Sequence, residues 1–304
     1  MGKIAFVFSG QGAQAPGMGL GLYELSAAAR AVYEAADAVR PGTSEMCFHG
    51  TDEDLKITAN TQPFLYAVEM AAAAVLTEAG IKADMAAGFS LGELAALTYA
   101  DSMSLESGLA LVNRRAQLMQ EAAGEYDTAM VAVVKLPNEK VEELCSRFDN
   151  VYPVNYNCPG QVTVAALSER IAPFSAAVKE AGGRAIPVKV SGAFHSPYME
   201  SASEGFKTEI AAAEIKAPKI PVYSNCLGDV YTDDVKGILG MQISSPVKWE
   251  TIIRKMIAAG ADTFIELGAG KTLNGFIKKI DDSVRRYNIE SKEDLELILS
   301  EVEK

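Results

Sequence analysis

A serine flanked by glycines is the first place where this chain could do chemistry. The segment AAGFSLGELAAL, residues 86–97, contains Gly88-Phe89-Ser90-Leu91-Gly92. A short apolar run precedes it and a helical pattern follows. In that context Gly-x-Ser-x-Gly turns the chain sharply from strand to helix and leaves the serine hydroxyl exposed at a helix N-terminus. Backbone N–H groups and the helix dipole there favour developing negative charge. A nucleophilic serine needs a base, and Phe89 can neither hydrogen-bond nor take a proton. The chain has two histidines, His49 and His195. His49 sits in the acidic stretch CFHGTDEDL and is expected in a surface loop. His195 sits in SGAFHSP, a loop between elements, where catalytic groups often lie, and it is the credible partner. Apart from Glu200, no carboxylate is close in sequence to orient it. A backbone or amide carbonyl could do so instead.

A second candidate is Arg114-Arg115, inside the helical pattern LALVNRRAQLMQEA. Adjacent residues on a helix point about 100° apart, so one arginine can face solvent and the other inward. Both can also be exposed, the usual fate of arginine. An inward guanidinium could grip a substrate carboxylate through two parallel hydrogen bonds. Two glycine-rich loops lead nowhere. Gly10-Gln11-Gly12-Ala13-Gln14-Ala15 fits a dinucleotide fingerprint, but Pro16-Gly17 interrupts the helix that such a loop must open. Gly268-Ala269-Gly270-Lys271-Thr272 resembles the end of a phosphate loop, yet Ile265 stands where its first glycine should be.

The elements that must carry these residues alternate. Strands are expected at Ile4–Phe8 and Ala83–Phe89, and helices at Leu22–Val39, Thr61–Ala79 (with Pro63 in its first turn), Leu91–Tyr99 and Ser104–Ala122. Such alternation argues for a mostly parallel sheet covered by helices. The middle differs. Ala129–Val134, Asn138–Arg147, Val151–Tyr156, Val162–Ala166, Ser168–Ala181 and Ala185–Val190 read β-α-β-β-α-β, the ferredoxin-like order. A loop at Ser191–Pro197, a helix, a strand at Ile220–Ser224, a helix around Pro246–Ala259 and a strand at Thr263–Leu267 follow. The expected division is a core of 1–127 and 191–304 with a subdomain at 128–190 inserted.

Bulk properties exclude several function classes. The 304 residues are 49% apolar, enough for a sizeable core, and the formal charge is -12. So acidic a chain repels nucleic acid and anionic membranes. The late pairs Arg254-Lys255, Lys278-Lys279 and Arg285-Arg286 read as solvated helix faces, or as a local patch for an acidic partner. Cys47, Cys145, Cys158 and Cys226 form no C-x-x-C pair and lie far from the histidines, so reduced thiols are expected rather than disulfides or zinc. The N-terminal apolar run is too short for a signal peptide, and the longest run, around MAAAAVL, is too short to span a bilayer. A soluble cytoplasmic protein without cofactor or metal is expected.

In order along the chain stand Gly10-Gln11-Gly12, Thr61-Gln62-Pro63, Gly88-x-Ser90-Leu91-Gly92-Glu93, Arg115 with Met119-Gln120, Asn157-x-Pro159-Gly160-Gln161, Gly192-Ala193-Phe194-His195-Ser196, and Gln242 before Pro246-Val247. This ordered set resembles the malonyl-CoA:acyl carrier protein transacylases of fatty acid and polyketide synthesis, over nearly the whole chain up to Arg286. The resemblance implies an α/β-hydrolase-like core carrying a ferredoxin-like subdomain. It implies Ser90 as the acylated nucleophile, His195 as general base and acid, and Arg115 as the grip on the malonyl carboxylate. The N–H groups of Gln11 and Leu91 would form the oxyanion hole, and the carbonyl of Gln242 would orient His195. Phe194 is the residue the family pairs with unbranched malonyl. Malonyl-CoA and acyl carrier protein would be the partners of a monomer with ping-pong kinetics. A free-standing chain of this length suits a dissociated fatty acid synthase. The departure is Phe89, where the family usually has histidine, and it bears on pocket shape. The rivals are a polyketide-pathway acyltransferase acting in trans, an acyl thioesterase, and a domain that only binds carrier protein.

Overall fold

The computed structural model describes residues 2–190 and 192–302. The expected loop Ser191–Pro197 and the expected domain boundary therefore begin on a residue outside the described ones. Among the described residues ten strands form two sheets. They are β1 (Lys3–Phe8), β2 (Met85–Gly88), β3 (Thr128–Val134), β4 (Val151–Cys158), β5 (Gln161–Leu167), β6 (Arg184–Val188), β7 (Val222–Ser224), β8 (Asp229–Val230), β9 (Ala261–Leu267) and β10 (Arg285–Ile289). The larger sheet has the order β10-β9-β1-β2-β7-β8. Every pair in it is parallel except β7 with β8.

β1 shows why this sheet must be covered on both sides. Ala5, Phe6, Val7 and Phe8 are all fully buried. Side chains alternate across a strand, and here Phe6 and Phe8 enter one core while Ala5 and Val7 enter another. The first core is built on the long helix Thr58–Glu78 and its neighbours. The second is built on Trp249, Ile252 and Ile253 of helix Trp249–Ala258 and on Leu273 and Ile277 of helix Thr272–Ile280.

The smaller sheet has the order β4-β5-β3-β6, with every pair antiparallel. With helices Asn138–Cys145 and Ser168–Glu180 between its strands, it has the β-α-β-β-α-β element order expected from the sequence. Its own core gathers Val131, Val133, Val162, Val164, Phe174 and Val178.

Four local expectations change. The single helix expected at Leu22–Val39 is two, Leu20–Leu25 and Ala27–Val39, because the Ser26 side chain accepts the N–H groups of Ala28 and Ala29 and starts a new helix. His49 ends a short helix, Thr43–His49, rather than lying in a loop, though it is exposed as expected. The helix expected from Thr61 begins at Thr58, so Pro63 lies inside it. Proline has no N–H for the carbonyl four residues back; Nη1 of Arg40 donates to that Ala59 oxygen instead, at 2.6 Å. Arg285-Arg286 lies on an edge strand, not a helix. Four late basic residues are held in ion pairs: Arg254 with Glu250, Lys255 with Asp229, Arg285 with Asp262 and Arg286 with Asp282. Cys47, Cys145 and Cys158 are buried free thiols, and Cys226 is a half-buried one. Among the described residues no helix is long and apolar enough to cross a membrane.

Candidate active site

The turn at Ser90 is set by close backbone packing. β2 ends at Gly88 and helix Gly92–Tyr99 begins four residues later. A Cβ on Gly88 would lie 1.9 Å from the Gly92 carbonyl, and one on Gly92 would lie 2.4 Å from the carbonyl oxygens of Phe8 and Ser9. Neither position admits a side chain. Ser90 itself has φ 55°, in the left-handed region that a non-glycine residue rarely occupies. Asn225 holds it there. Its Oδ1 accepts from the Ser90 N–H at 2.7 Å, and its Nδ2 donates to the Gly88 carbonyl at 2.6 Å.

The side chain of Ser90 meets two expected partners. Its Oγ lies 2.7 Å from Nε2 of His195 and 3.2 Å from Nη2 of Arg115. His195 also has positive φ, 62°, and is 3% exposed. Its Nδ1 lies 3.1 Å from the Gln242 carbonyl and 3.2 Å from the Ser245 carbonyl. Carbonyls only accept, so Nδ1 carries the proton and Nε2 is left with a lone pair facing the hydroxyl. Burial, reinforced by the nearby Arg115 charge, pushes the imidazole down to about 4; the two carbonyls oppose this. His195 is therefore neutral at physiological pH and ready to accept a proton.

Arg115 is fully buried, while Arg114 is half-exposed and paired with Glu209. Helix Leu105–Ala122 thus turns one arginine inward and the next outward. Arg115 Nη1 donates to Oε1 of Gln62 at 2.5 Å, and Nη2 donates to Oε1 of Gln242 at 2.7 Å. Its Nε has no partner among the described residues. Burial lowers the guanidinium to about 10, with Glu93 opposing, so it stays charged at neutral pH.

Gln242 joins these groups. Its Nε2 donates to the Ser90 carbonyl at 2.6 Å and to Oε2 of Glu93 at 2.8 Å. Oε1 of Glu93 accepts from the Tyr231 hydroxyl and the Asn225 N–H. Burial raises the Glu93 carboxyl while these donors lower it, leaving it above its ordinary range. Glu93, Asn225 and Tyr231 escaped the sequence reading of roles. Glu93 stands in a quoted motif, but nothing local marks Asn225 or Tyr231, which reach the turn only through the fold.

The remaining candidates lie nearby in the fold. The Gln11 side chain donates to Oγ1 of Thr58, and among the described residues neither the Gln11 nor the Leu91 N–H has an acceptor. Phe194 is 6% exposed and belongs to the first core. Phe89 turns the other way. Its ring packs edge-on to Trp249, centroids 5.5 Å apart, and against Phe276 at 6.4 Å. It lines a cavity of about 220 Å³ with Gln11, Asn155, Asn157, Gln161, Thr163 and Leu273. Oδ1 of Asn155 and of Asn157 are buried without a partner among the described residues. A larger groove, about 680 Å³, runs past Val32, Met70, Tyr99 and Lys219 and touches none of these residues. Chemistry, not size, identifies the site. No group of three or more His, Cys, Asp or Glu suited to a metal ion occurs among the described residues.

The acyl transferase domain family matches residues 5–292. A malonyl CoA-acyl carrier protein transacylase of Bacillus subtilis is 38% identical, over 98% of this chain and 97% of its own. The crystal structure of such a transacylase from Clostridium perfringens superposes with a TM-score of 0.96 at 35% identity, covering 99% of this chain and 97% of that one. A malonyl-transacylase solved with its type II polyketide synthase acyl-carrier protein gives 0.94 at 31% identity, over 98% and 99%. The chain belongs to the acyl transferase domain family, among the malonyl CoA-acyl carrier protein transacylases.

Proposed function

We propose that the protein transfers the malonyl group from malonyl-CoA to the phosphopantetheine thiol of acyl carrier protein, through an ester on Ser90. One observation carries this reading: a single hydroxyl oxygen touches both a neutral, oriented imidazole and a buried guanidinium. The first makes a nucleophile, and the second selects an acyl group that bears a carboxylate.

In the first half-reaction Ser90 Oγ attacks the thioester carbonyl carbon while His195 Nε2 takes its proton. The oxyanion is received by the free N–H groups of Gln11 and Leu91; one such donor is typically worth about 10²–10³ in rate. The C–S bond breaks, and the CoA sulfur leaves with the proton returned by His195. Arg115 meanwhile holds the distal carboxylate. The substrate carboxylate replaces the Ser90 contact on Nη2, and the unpartnered Nε adds a donor. In the second half-reaction the carrier's thiol gives its proton to His195 and attacks the ester, and Ser90 recovers its hydrogen. Two half-reactions through one ester give ping-pong kinetics.

The cavity beside Phe89 suits the pantetheine arm. The arm carries amide groups, and Asn155, Asn157, Gln161 and Thr163 give the cavity a polar lining. The cavity draws its lining from both the loop after β1 and the smaller sheet. We therefore read residues 128–190 as a subdomain set on a core of 1–127 and 191–304, with the site between them. The protein is proposed to work in the cytoplasm as a monomer supplying fatty acid synthesis. A polyketide carrier is the second reading, favoured by the likeness to a transacylase solved with such a carrier. Thioesterase action is disfavoured, since hydrolysis of a simple acyl group has no use for a buried cation at the nucleophile.

Intact-protein mass spectrometry after brief incubation with malonyl-CoA tests the proposal. A malonyl adduct on the parent that is lost in Ser90→Ala supports it. Rapid hydrolysis of malonyl-CoA without adduct indicates a thioesterase, and intact malonyl-CoA without adduct leaves a binding domain.

A further inference from the structure

Glu69 is a buried carboxyl that the reaction above does not use. It is fully buried in the middle of helix Thr58–Glu78. Its Oε1 accepts from the Ser9 hydroxyl at 3.0 Å, and its Oε2 has no partner among the described residues. Burial raises the carboxyl well above its ordinary range, with the Ser9 hydroxyl opposing. A carboxyl at this depth with one oxygen unpartnered is costly to keep, which raises the question of what it does.

Ser9 immediately precedes Gly10-Gln11. Its backbone is confined on three sides. The Ser9 N–H donates to the Leu267 carbonyl at 3.0 Å. Its carbonyl abuts Gly92, where a Cβ would come within 2.4 Å of it. A Cβ on Gly268 would meet the Ser9 Oγ at 2.1 Å and the Glu69 Cγ at 3.1 Å. The next residue, Gly10, lies so close to the Phe89 carbonyl that a Cβ would come within 2.8 Å. The stretch leading to the Gln11 N–H therefore rests directly on the backbone of the Ser90 turn. Two side-chain hydrogen bonds tie this stretch to the helix behind it: Ser9 to Glu69 in its middle, and the Gln11 side chain to Thr58 at its start.

Helix geometry adds to this. Glu69 lies seven residues after Gln62, two turns on, so both project from one face. Gln62 holds Arg115, and Glu69 holds Ser9. We propose that Glu69 is a positioning residue which, through Ser9, fixes the Gly10–Gln11 loop so that the Gln11 N–H faces the oxyanion formed at Ser90. One helix thereby aligns the carboxylate grip and the oxyanion donor against the same hydroxyl.

The inference rests on the proposed malonyl transfer, and its test separates the two. The single-turnover rate of Ser90 acylation and the KM for malonyl-CoA are measured for the parent, Ser9→Ala, Glu69→Leu, Glu69→Gln and the Ser9→Ala/Glu69→Leu double variant, with melting temperatures alongside. A parent that forms no malonyl ester fails the functional reading, whatever the variants do. With an active parent, Ser9→Ala is expected to lower acylation roughly 10- to 100-fold, the scale of a misplaced catalytic group, with KM little changed. Glu69→Leu should do the same, the double variant should be no worse than either single, and Glu69→Gln, which keeps an acceptor for the Ser9 hydroxyl, should restore most of the rate. Parent-like acylation in Ser9→Ala overturns the proposal even if Glu69→Leu does not fold. Losses that multiply in the double variant, or a rate loss matched by a lowered melting temperature that Glu69→Gln does not reverse, also overturn it.

Discussion

Ser90 and Phe89 are neighbours in the chain and face opposite sides of the larger sheet. Around Ser90 every fixed distance is a hydrogen bond between 2.6 and 3.2 Å, supplied by His195, Arg115, Gln242 and Asn225. Around Phe89 the contacts are rings, Trp249 and Phe276, at 5.5 and 6.4 Å between centroids. Hydrogen bonds weaken steeply with distance and angle, whereas dispersion is spread over many weak contacts. The first side should therefore lose function with the removal of a few atoms, and the second should absorb a change of shape. A ring at position 89 is therefore compatible with the geometry around the serine, which none of its contacts supplies.

Four measurements can break or sharpen that contrast. The largest effect is expected for Ser90→Ala, which should remove the malonyl adduct and lower transfer by about 10⁶-fold, as for other enzymes whose nucleophile is deleted. Next, Arg115→Ala should slow acylation by malonyl-CoA by roughly 100-fold, the worth of one or two charge-assisted hydrogen bonds, while acetyl-CoA loses little. Competition between the two thioesters, read by adduct mass, checks this. An unchanged malonyl preference would remove Arg115 from the recognition role.

The third effect is on pH. In the proposed mechanism the neutral imidazole takes the proton, and His195 is held down to about 4. Acylation should stay level from pH 8 to about 5 and fall as pH drops through about 4. Stability carries the same sign. An unfolded histidine takes up its proton near 6.5, so between about 6.5 and 4 the unfolded chain binds more protons and stability falls as pH falls. Single-turnover rates and melting temperatures over that range test both. A midpoint near 6.5 would mean that water reaches the ring. The smallest effect is expected for Phe89→Leu, at about 1 kcal/mol of stability; Phe89 lines the cavity read as the pantetheine site, so any change should fall on the KM for malonyl-CoA, with less than about threefold in acylation at saturating substrate, since no reacting atom moves. A large loss of rate there would show that the two sides of the turn are not independent.

Much of this arrangement was legible in the sequence. β1, β2 and the six elements of the smaller sheet announce themselves through short apolar runs and their alternation with helices. Ser90 is legible through the glycines on either side of it, Arg115 through its place in a helical pattern, and His195 because the chain has two histidines. What stayed hidden depends on contacts between distant segments. The break at Ser26 does not interrupt an otherwise helical pattern in composition; it is a capping choice made by one hydroxyl. β10 pairs at the sheet edge with Arg285 and Arg286 in it, so no apolar alternation marks it. Asn225 is one of many asparagines until the fold sets it against Ser90, 135 positions away.

The positive φ of Ser90 limits which nucleophiles this framework can carry. Threonine also offers a hydroxyl, but its branched Cβ is strongly disfavoured at φ 55°. Cysteine has the shape of serine and meets no such obstacle. The reactive atom can therefore change from oxygen to sulfur more readily than the alcohol can gain a methyl group. The backbone, rather than the chemistry of acyl transfer, sets that order.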